Sequence, residues 1–355
     1  MTRLWWSWSA QVPPLLFPFA LAIFLAFGFG PNLLFATGAM IVLVAGAMLL
    51  WRPGESPILL FAFLFQWLQA SIAIFHANWL GVDLGAYTRW GGNIDVASLL
   101  TLIGLLAFAV GLRVGAGRPA AWVGPIAREQ ALGQPLRQWF RLYLVAWLVA
   151  VVATQLSVYS GGLRQPLLAL ASLKWCFFFL LTYATFARPA GYRGYWLIAF
   201  GLEFILSIGG FFSSFKTVFF FSMFAMVAAN LRFRVRQRVG LVLLTVLLLY
   251  LGILWTAVKV DYRFYLSGGT GAQIVTVDYG ERIARLVDMV VKLDGDELAS
   301  AVDDTIHRIA YVDFFGKVLE RVPTYIPHEY GAIWWDALAR PFMPRLLFPE
   351  KTAVN

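Results

Sequence analysis

The chain has 355 residues, 60% of them hydrophobic and only 13% charged, with a formal net charge of +9. Soluble domains average about 45–50% apolar and about 25% charged residues, so this composition excludes an ordinary water-soluble globular protein. A single cysteine, Cys176, lies inside an apolar run. It excludes a disulfide framework or a cysteine-based metal set, and it reads as a small buried hydrophobe.

Apolar runs of membrane length fall at roughly 12–30, 32–51, 57–76, 96–113, 140–159, 166–187, 194–212, 214–231 and 240–258, predicting nine spans. The first follows Arg3 and holds Pro13, Pro14 and Pro18 without a small-residue cleavage site, so it is expected to stay as a span. Alternate connections, counted from the N-terminus, carry Arg3; Arg52; Arg113, Arg118, Arg128, Arg137 and Arg141; Arg188 and Arg193; and Arg232, Arg234, Arg236 and Arg238. The other set holds only Arg89, Arg164 and Lys216. Positively charged loops stay cytoplasmic, so the N-terminus is expected inside and the chain leaves the ninth span on the outside. The Arg232–Arg238 run is then an orientation signal at a tight turn, and nucleic acid is not expected as a partner.

Two charges fall inside spans. Lys174 and Glu203 each sit some 12–14 Å below the outer surface at about 1.5 Å per residue. An isolated charge there costs at least about 2.5–3.5 kcal/mol, so both are expected to face inward and pair. Structural neutralisation and a polar substrate cavity are equal readings of such a pair.

The net charge hides two opposite parts. Residues 1–258, the expected helix bundle, carry seventeen basic and five acidic groups; residues 259–355, the expected extracytoplasmic loop, carry eleven basic and fourteen acidic. In that loop Asp278-Tyr-Gly-Glu281 has capping-box spacing, and Ile283, Leu286, Val287, Val290 and Leu293 follow at helical intervals. Asp294-Gly295 is expected to end this helix on a left-handed glycine. A second helix is predicted over about 296–321, with an apolar stripe of Leu298, Val302, Ile306, Ile309 and Phe315 or Leu319. Both would lie on the bundle, apolar faces down. From Val322 onward Pro323, Pro327, Pro341, Pro344 and Pro349 predict an extended strip in place of a long helix.

Asp294-Gly-Asp296-Glu297 has oxygen ligands at a spacing that fits a divalent cation, but a helix stop followed by an acidic first turn accounts for it without metal. His307 and Arg308 follow Asp303 and Asp304 at i,i+4, a pattern that fits surface ion pairs as well as function. Of the other two histidines, His76 ends a span and only His328 lies beside a carboxylate, Glu329, so no histidine-based metal site is expected. Neither a Ser/His/Asp order nor a phosphate-binding glycine fingerprint is present, which leaves hydrolase and nucleotide-binding readings without support.

The run Trp255-Thr-Ala-Val-Lys259-Val-Asp-Tyr262-Arg263, the loop arginine Arg308, Pro323, Gly331 and Pro344-Arg345-Leu-Leu-Phe-Pro349-Glu-Lys351 together resemble the Wzy-type polymerases. These join lipid-linked oligosaccharide repeats of O-antigen or exopolysaccharide. The resemblance covers the topology broadly and residues 250–351 in motif detail. Such polymerases re-enter the membrane after the large loop, so further spans are expected beyond Asn355. The resemblance implies an inner-membrane glycosyltransferase that needs neither cofactor nor metal and takes a polyprenyl-diphosphate-linked oligosaccharide as donor. A protein that regulates chain length is an implied partner.

Arginine suits an anionic diphosphate leaving group because the guanidinium binds phosphate oxygens bidentately and stays charged near lipid. Under the resemblance Arg263, Arg308, Arg345 and Lys351 form an electropositive cradle joined by Lys259 and Arg340. Glu329 or His328 would accept the hydroxyl proton. Tyr330, Trp334 and Trp335 fit sugar stacking, and interfacial anchoring accounts equally for both tryptophans. A lipid-linked glycan ligase uses the same donor chemistry. A lipid or saccharide flippase would show pseudo-symmetric halves, and no such repeat is present in the sequence.

Overall fold

In a computed structural model, which describes residues 16–52, 58–117, 123–160, 163–188, 192–207, 215–229, 235–271, 275–343 and 348, the chain is an all-α polytopic membrane protein. In chain order the helices are α1 (Leu16–Phe27), α2 (Leu33–Leu50), α3 (Ile58–Leu80), α4 (Leu84–Tyr87), α5 (Ile94–Gly115), α6 (Val123–Gly133), α7 (Leu136–Tyr159) and α8 (Arg164–Phe186). They continue with α9 (Gly194–Ser207), α10 (Phe215–Ala228), α11 (Val235–Leu266), α12 (Tyr279–Val291), α13 (Gly295–Ile309), α14 (Tyr311–Arg321) and α15 (Ala332–Ala339), the last followed by a 3₁₀ turn at Arg340–Phe342.

Among the described residues six helices are long and apolar enough to cross a bilayer: α2, α3, α5, α7, α8 and the Leu243–Leu266 part of α11. The predicted first, seventh and eighth spans appear as the shorter apolar helices α1, α9 and α10. Cys176 is exposed on α8, against the expected burial, as are Leu170 and Leu173 of the same helix.

The chain divides into two units that cut across the sequence boundary at residue 258. Residues 1–119 and 233–327 make one, residues 120–232 and 328–355 the other. The first unit is built on α2, α3 and α5, which approach closely because small residues face each other: Ala36, Ala39, Ala47, Ala70, Ala73, Ala77 and Ala97 are all buried. Gly46 is required, since a Cβ there would stand 2.0 Å from the Phe63 ring. Asn32 and Asn78 tie the helix ends together. The Asn32 amide donates to Asn78 Oδ1 at 2.9 Å, and Asn32 Oδ1 accepts from the Leu84 amide at 2.8 Å.

Helices α12, α13 and α14 belong to this first unit. α12 packs on α11, α13 on both α11 and α3, and α14 on α3 and α5. The predicted second outer helix is two helices, broken at Ala310, whose buried methyl group and non-helical backbone turn the chain into α14. α14 approaches the start of α5 backbone to backbone. Gly92, at φ +113°, lies so near Gly316 that a Cβ would sit 2.7 Å from its carbonyl group, and the Asn93 amide donates to the Gly316 carbonyl at 3.2 Å. Gly295 is not a left-handed stop; it opens α13, and α12 ends on Lys292 in a right-handed conformation. The strip expected after Val322 contains α15, because nine helix-compatible residues lie between Gly331 and Pro341.

In the second unit α7 and α8 pair, with α9 and α10 packed on α8. Tyr143, Phe178, Leu181, Ala199 and Val218 form the core. Arg188 closes one end, its guanidinium donating to the carbonyls of Ala184 at 2.7 Å and Gln134 at 2.6 Å.

Candidate functional site

The C-terminal part of α11 carries a buried stripe of Val258, Tyr262 and Leu266, three turns in register at i, i+4 and i+8. Lys259 and Arg263 flank that stripe, half-buried and one turn apart. The sequence reading ended this span at 258 and put both residues in a loop. They stand instead on the helix, which continues to Leu266 because nothing from 259 to 266 breaks it.

α13 lies against this segment and brings Arg308, with Asp304 one turn earlier on the same helix, into electrostatic range of Lys259. Three cations from two elements therefore share one region. Arg282 of α12 lies by Tyr262: its carbonyl accepts from the Tyr262 hydroxyl at 3.3 Å, and its guanidinium lies over the Tyr279 ring at 5.1 Å. Its buried Nε has no hydrogen-bond partner among the described residues.

An adjoining face of α13 enters a polar knot against the 76–93 region. His307 is buried and its ring stacks on Tyr87 at 4.7 Å. The Tyr87 hydroxyl is 2.8 Å from His76 Nδ1. Two carboxylates flank the imidazole: Asp303 Oδ1 is 3.6 Å from Nε2, and Asp313 Oδ2 is 3.9 Å from Nδ1. Asp313 is almost wholly buried, accepts from the Thr88 hydroxyl, and takes a longer bond at 3.4 Å from the Arg89 amide. The Arg89 guanidinium bridges Asp303 and Asp304, the latter at 2.7 Å. Asp304 thus pairs with Arg89, not with Arg308 as the i,i+4 spacing suggested.

Electrostatics follow from this geometry. Burial, with Arg89 nearby, holds the His307 imidazole below its ordinary value of 6.5, favouring the neutral ring. The Tyr87 hydroxyl is pushed upward by burial and by Asp303 and Asp313, so it stays protonated. Hydrogen bonds to Asp304 and Asp303 raise Arg89 further, which keeps the bridge charged. The knot fixes the rotation of α13: His307 locks inward and Arg308, the next residue, turns about 100° away, to the α11 side.

Asp294 caps α13. Its side chain accepts from the Glu297 amide at 2.8 Å while Glu297 returns a bond to the Asp294 amide at 3.1 Å, a reciprocal capping box. The acidic run therefore has a structural use that needs no cation. Asp278 caps α12 by accepting from the Gly280 amide, and Glu281 makes no reciprocal bond there.

The remaining sequence candidates fall as follows. Lys174 and Glu203 pair at 2.7 Å in the second unit, as expected, and the second Glu203 oxygen accepts from the Tyr143 hydroxyl at 3.1 Å. His328, Glu329 and Tyr330 are exposed in that unit. Arg340 pairs with Asp336. Arg345 and Lys351 lie outside the described residues. Sequence reasoning missed Tyr87, Thr88, Arg282 and Asp313. The one available signal was Asp313 itself, a carboxylate at the helical spacing that buries Val312 and Gly316.

Comparison of the chain with family models, curated proteins and solved structures finds no match, so the site is read from its own residues.

Proposed function

We propose that the protein is a glycosyltransferase that joins polyprenyl-diphosphate-linked oligosaccharide repeats into a surface polysaccharide at the outer face of a bacterial inner membrane. The observation that carries this reading is the convergence of Lys259, Arg263 and Arg308, from α11 and α13, at the end of a membrane-length helix. Like charges so gathered repel, Asp304 offsets part of that repulsion, and an anion at the membrane surface would relieve more of it. A lipid diphosphate has the charge, the paired oxygens along each O–P–O edge and the location that such a group fits. The asymmetry of basic connections supports an N-terminus in the cytoplasm and residues beyond α11 in the periplasm.

In the proposed reaction the bond between the donor sugar and the diphosphate breaks, and the acceptor hydroxyl oxygen forms a new bond to the same carbon. The diphosphate leaves with the electron pair of the broken bond, and the guanidinium and ammonium groups stabilise the developing charge. The hydroxyl proton passes to a general base at the acceptor. The Tyr87–His307–Asp313 knot acts as a positioning device that keeps Arg308 turned toward Lys259.

The test is elongation by the purified protein in lipid vesicles containing a polyprenyl-diphosphate-linked oligosaccharide. The proposal expects lipid-linked products of several repeats together with released polyprenyl diphosphate, and loss of both in Arg308→Gln. Transfer of the glycan only to a different acceptor would assign a ligase. Movement of the lipid across the vesicle without new glycosidic bonds would assign a flippase and overturn the transferase reading.

A further inference from the structure

The short helix α15 presents an apolar face that nothing in the transfer reaction uses. Trp334 is 76% exposed, Trp335 74%, Leu338 59% and Phe342 83%. At 3.6 residues per turn Trp334 and Leu338 stand one above the other, Phe342 continues the row through the 3₁₀ turn, and Trp335 borders it. Asp336 and Arg340, paired to each other, fall on the opposite side of the helix. Ile333, also exposed, stands beside Arg340 on the side of the ion pair. The helix packs mainly against its own 3₁₀ turn.

We propose that the Trp334–Trp335–Leu338–Phe342 face of α15 lies in the headgroup–acyl boundary of the lipid bilayer, with the Asp336–Arg340 pair turned to water. Three features select lipid over a protein partner. Tryptophan combines a large apolar ring with one N–H donor, a combination that settles at the boundary where one end is dry and the other wet. The helix is eight residues long, far short of a span, so it can lie in the boundary but cannot cross the bilayer. The same unit contains the membrane-length helices α7 and α8. An ion pair closed on one face also lets the helix lie flat without carrying an unpaired charge toward the acyl chains.

The test uses the full chain in phosphatidylcholine vesicles with Cys176→Ala as background and single cysteines at Trp334→Cys, Leu338→Cys or Asp336→Cys, each labelled with an environment-sensitive fluorophore. Labels at 334 and 338 should emit at shorter wavelength than the label at 336. They should be quenched by lipids carrying a nitroxide near the headgroup and shielded from aqueous iodide, and the label at 336 should behave oppositely. A second measurement leaves the chain unlabelled: lipids brominated near the carbonyl end should quench wild-type tryptophan emission more than that of Trp334→Phe/Trp335→Phe. Equal iodide quenching at all three positions would overturn the proposal by placing the helix in water. Shielding of 334 and 338 from both quenchers would overturn it by placing protein over the face.

Discussion

Replacing Asp313 with alanine removes the acceptor at the centre of the contact that holds α14 to the bundle. The carboxylate is 1% exposed and accepts from the Thr88 hydroxyl and the Arg89 amide. A buried donor left without its acceptor costs about 1–3 kcal/mol. The Thr88 hydroxyl already lies 3.4 Å from the Gly91 carbonyl and can turn to it, which puts its loss at the lower end. Together the two losses come to about 2–3 kcal/mol, or about 30- to 150-fold in the undocking equilibrium. Hydrogen exchange read by mass spectrometry over residues 311–321 measures that equilibrium directly. Asp303→Asn is the control: Arg89 keeps Asp304, and the side chains involved are about two-fifths to one-half exposed. That change should therefore cost less than about 1 kcal/mol. Wild-type protection in Asp313→Ala, or a larger loss in Asp303→Asn, would refute the assignment of Asp313 as the buried anchor.

Three further outcomes follow from named contacts. His307 is held below its ordinary value of 6.5 when α13 is docked, so the undocked state takes up the proton first as pH falls. Protection of residues 295–309 should be level above that value, decline below it and lose this slope in His307→Gln; a decline with rising pH would contradict the burial argument. Lys174→Met leaves the buried Glu203 carboxylate without its cation and should cost about 3–5 kcal/mol, while Lys174→Met/Glu203→Gln recovers most of it. Equal thermal destabilisation of the single and double variants would show that the ion pair is not the cause. Asp294→Ala should lose about 1 kcal/mol of α13 stability, and Asp294→Asn/Asp296→Asn should leave elongation intact. A severe defect restored by added divalent cation would instead make the acidic run a metal site.

The membrane class was legible because it depends on summed apolar content and segment length, which local detail does not disturb. The Lys174–Glu203 pair was legible for a related reason: a charge at mid-span has few affordable states, and pairing is the commonest. Helix ends were less readable. Asp294 could close one helix or open the next, and only the reciprocal Glu297 bond decides for opening. The break at Ala310 carries no glycine or proline, so periodicity ran straight through it. The polar knot was hidden because its members come from sequence positions more than two hundred residues apart. Thr88 and Arg89 looked like loop residues, and Asp303 and Asp304 looked like a solvated helix face. Of the predicted cationic cradle, Lys259, Arg263 and Arg308 share one region because α13 packs on α11, a tertiary contact no spacing rule supplies.

The proposed function requires this cationic group to bind a lipid diphosphate. Its most direct test is the affinity of the protein in nanodiscs for a polyprenyl diphosphate, compared with the corresponding polyprenol and measured at two salt concentrations. The account predicts that wild type prefers the diphosphate, that the preference weakens at higher salt, and that Lys259→Gln/Arg308→Gln abolishes it while the fold remains intact by hydrogen exchange. Equal affinity for diphosphate and alcohol in wild type, or an unchanged preference in the double variant, would contradict it.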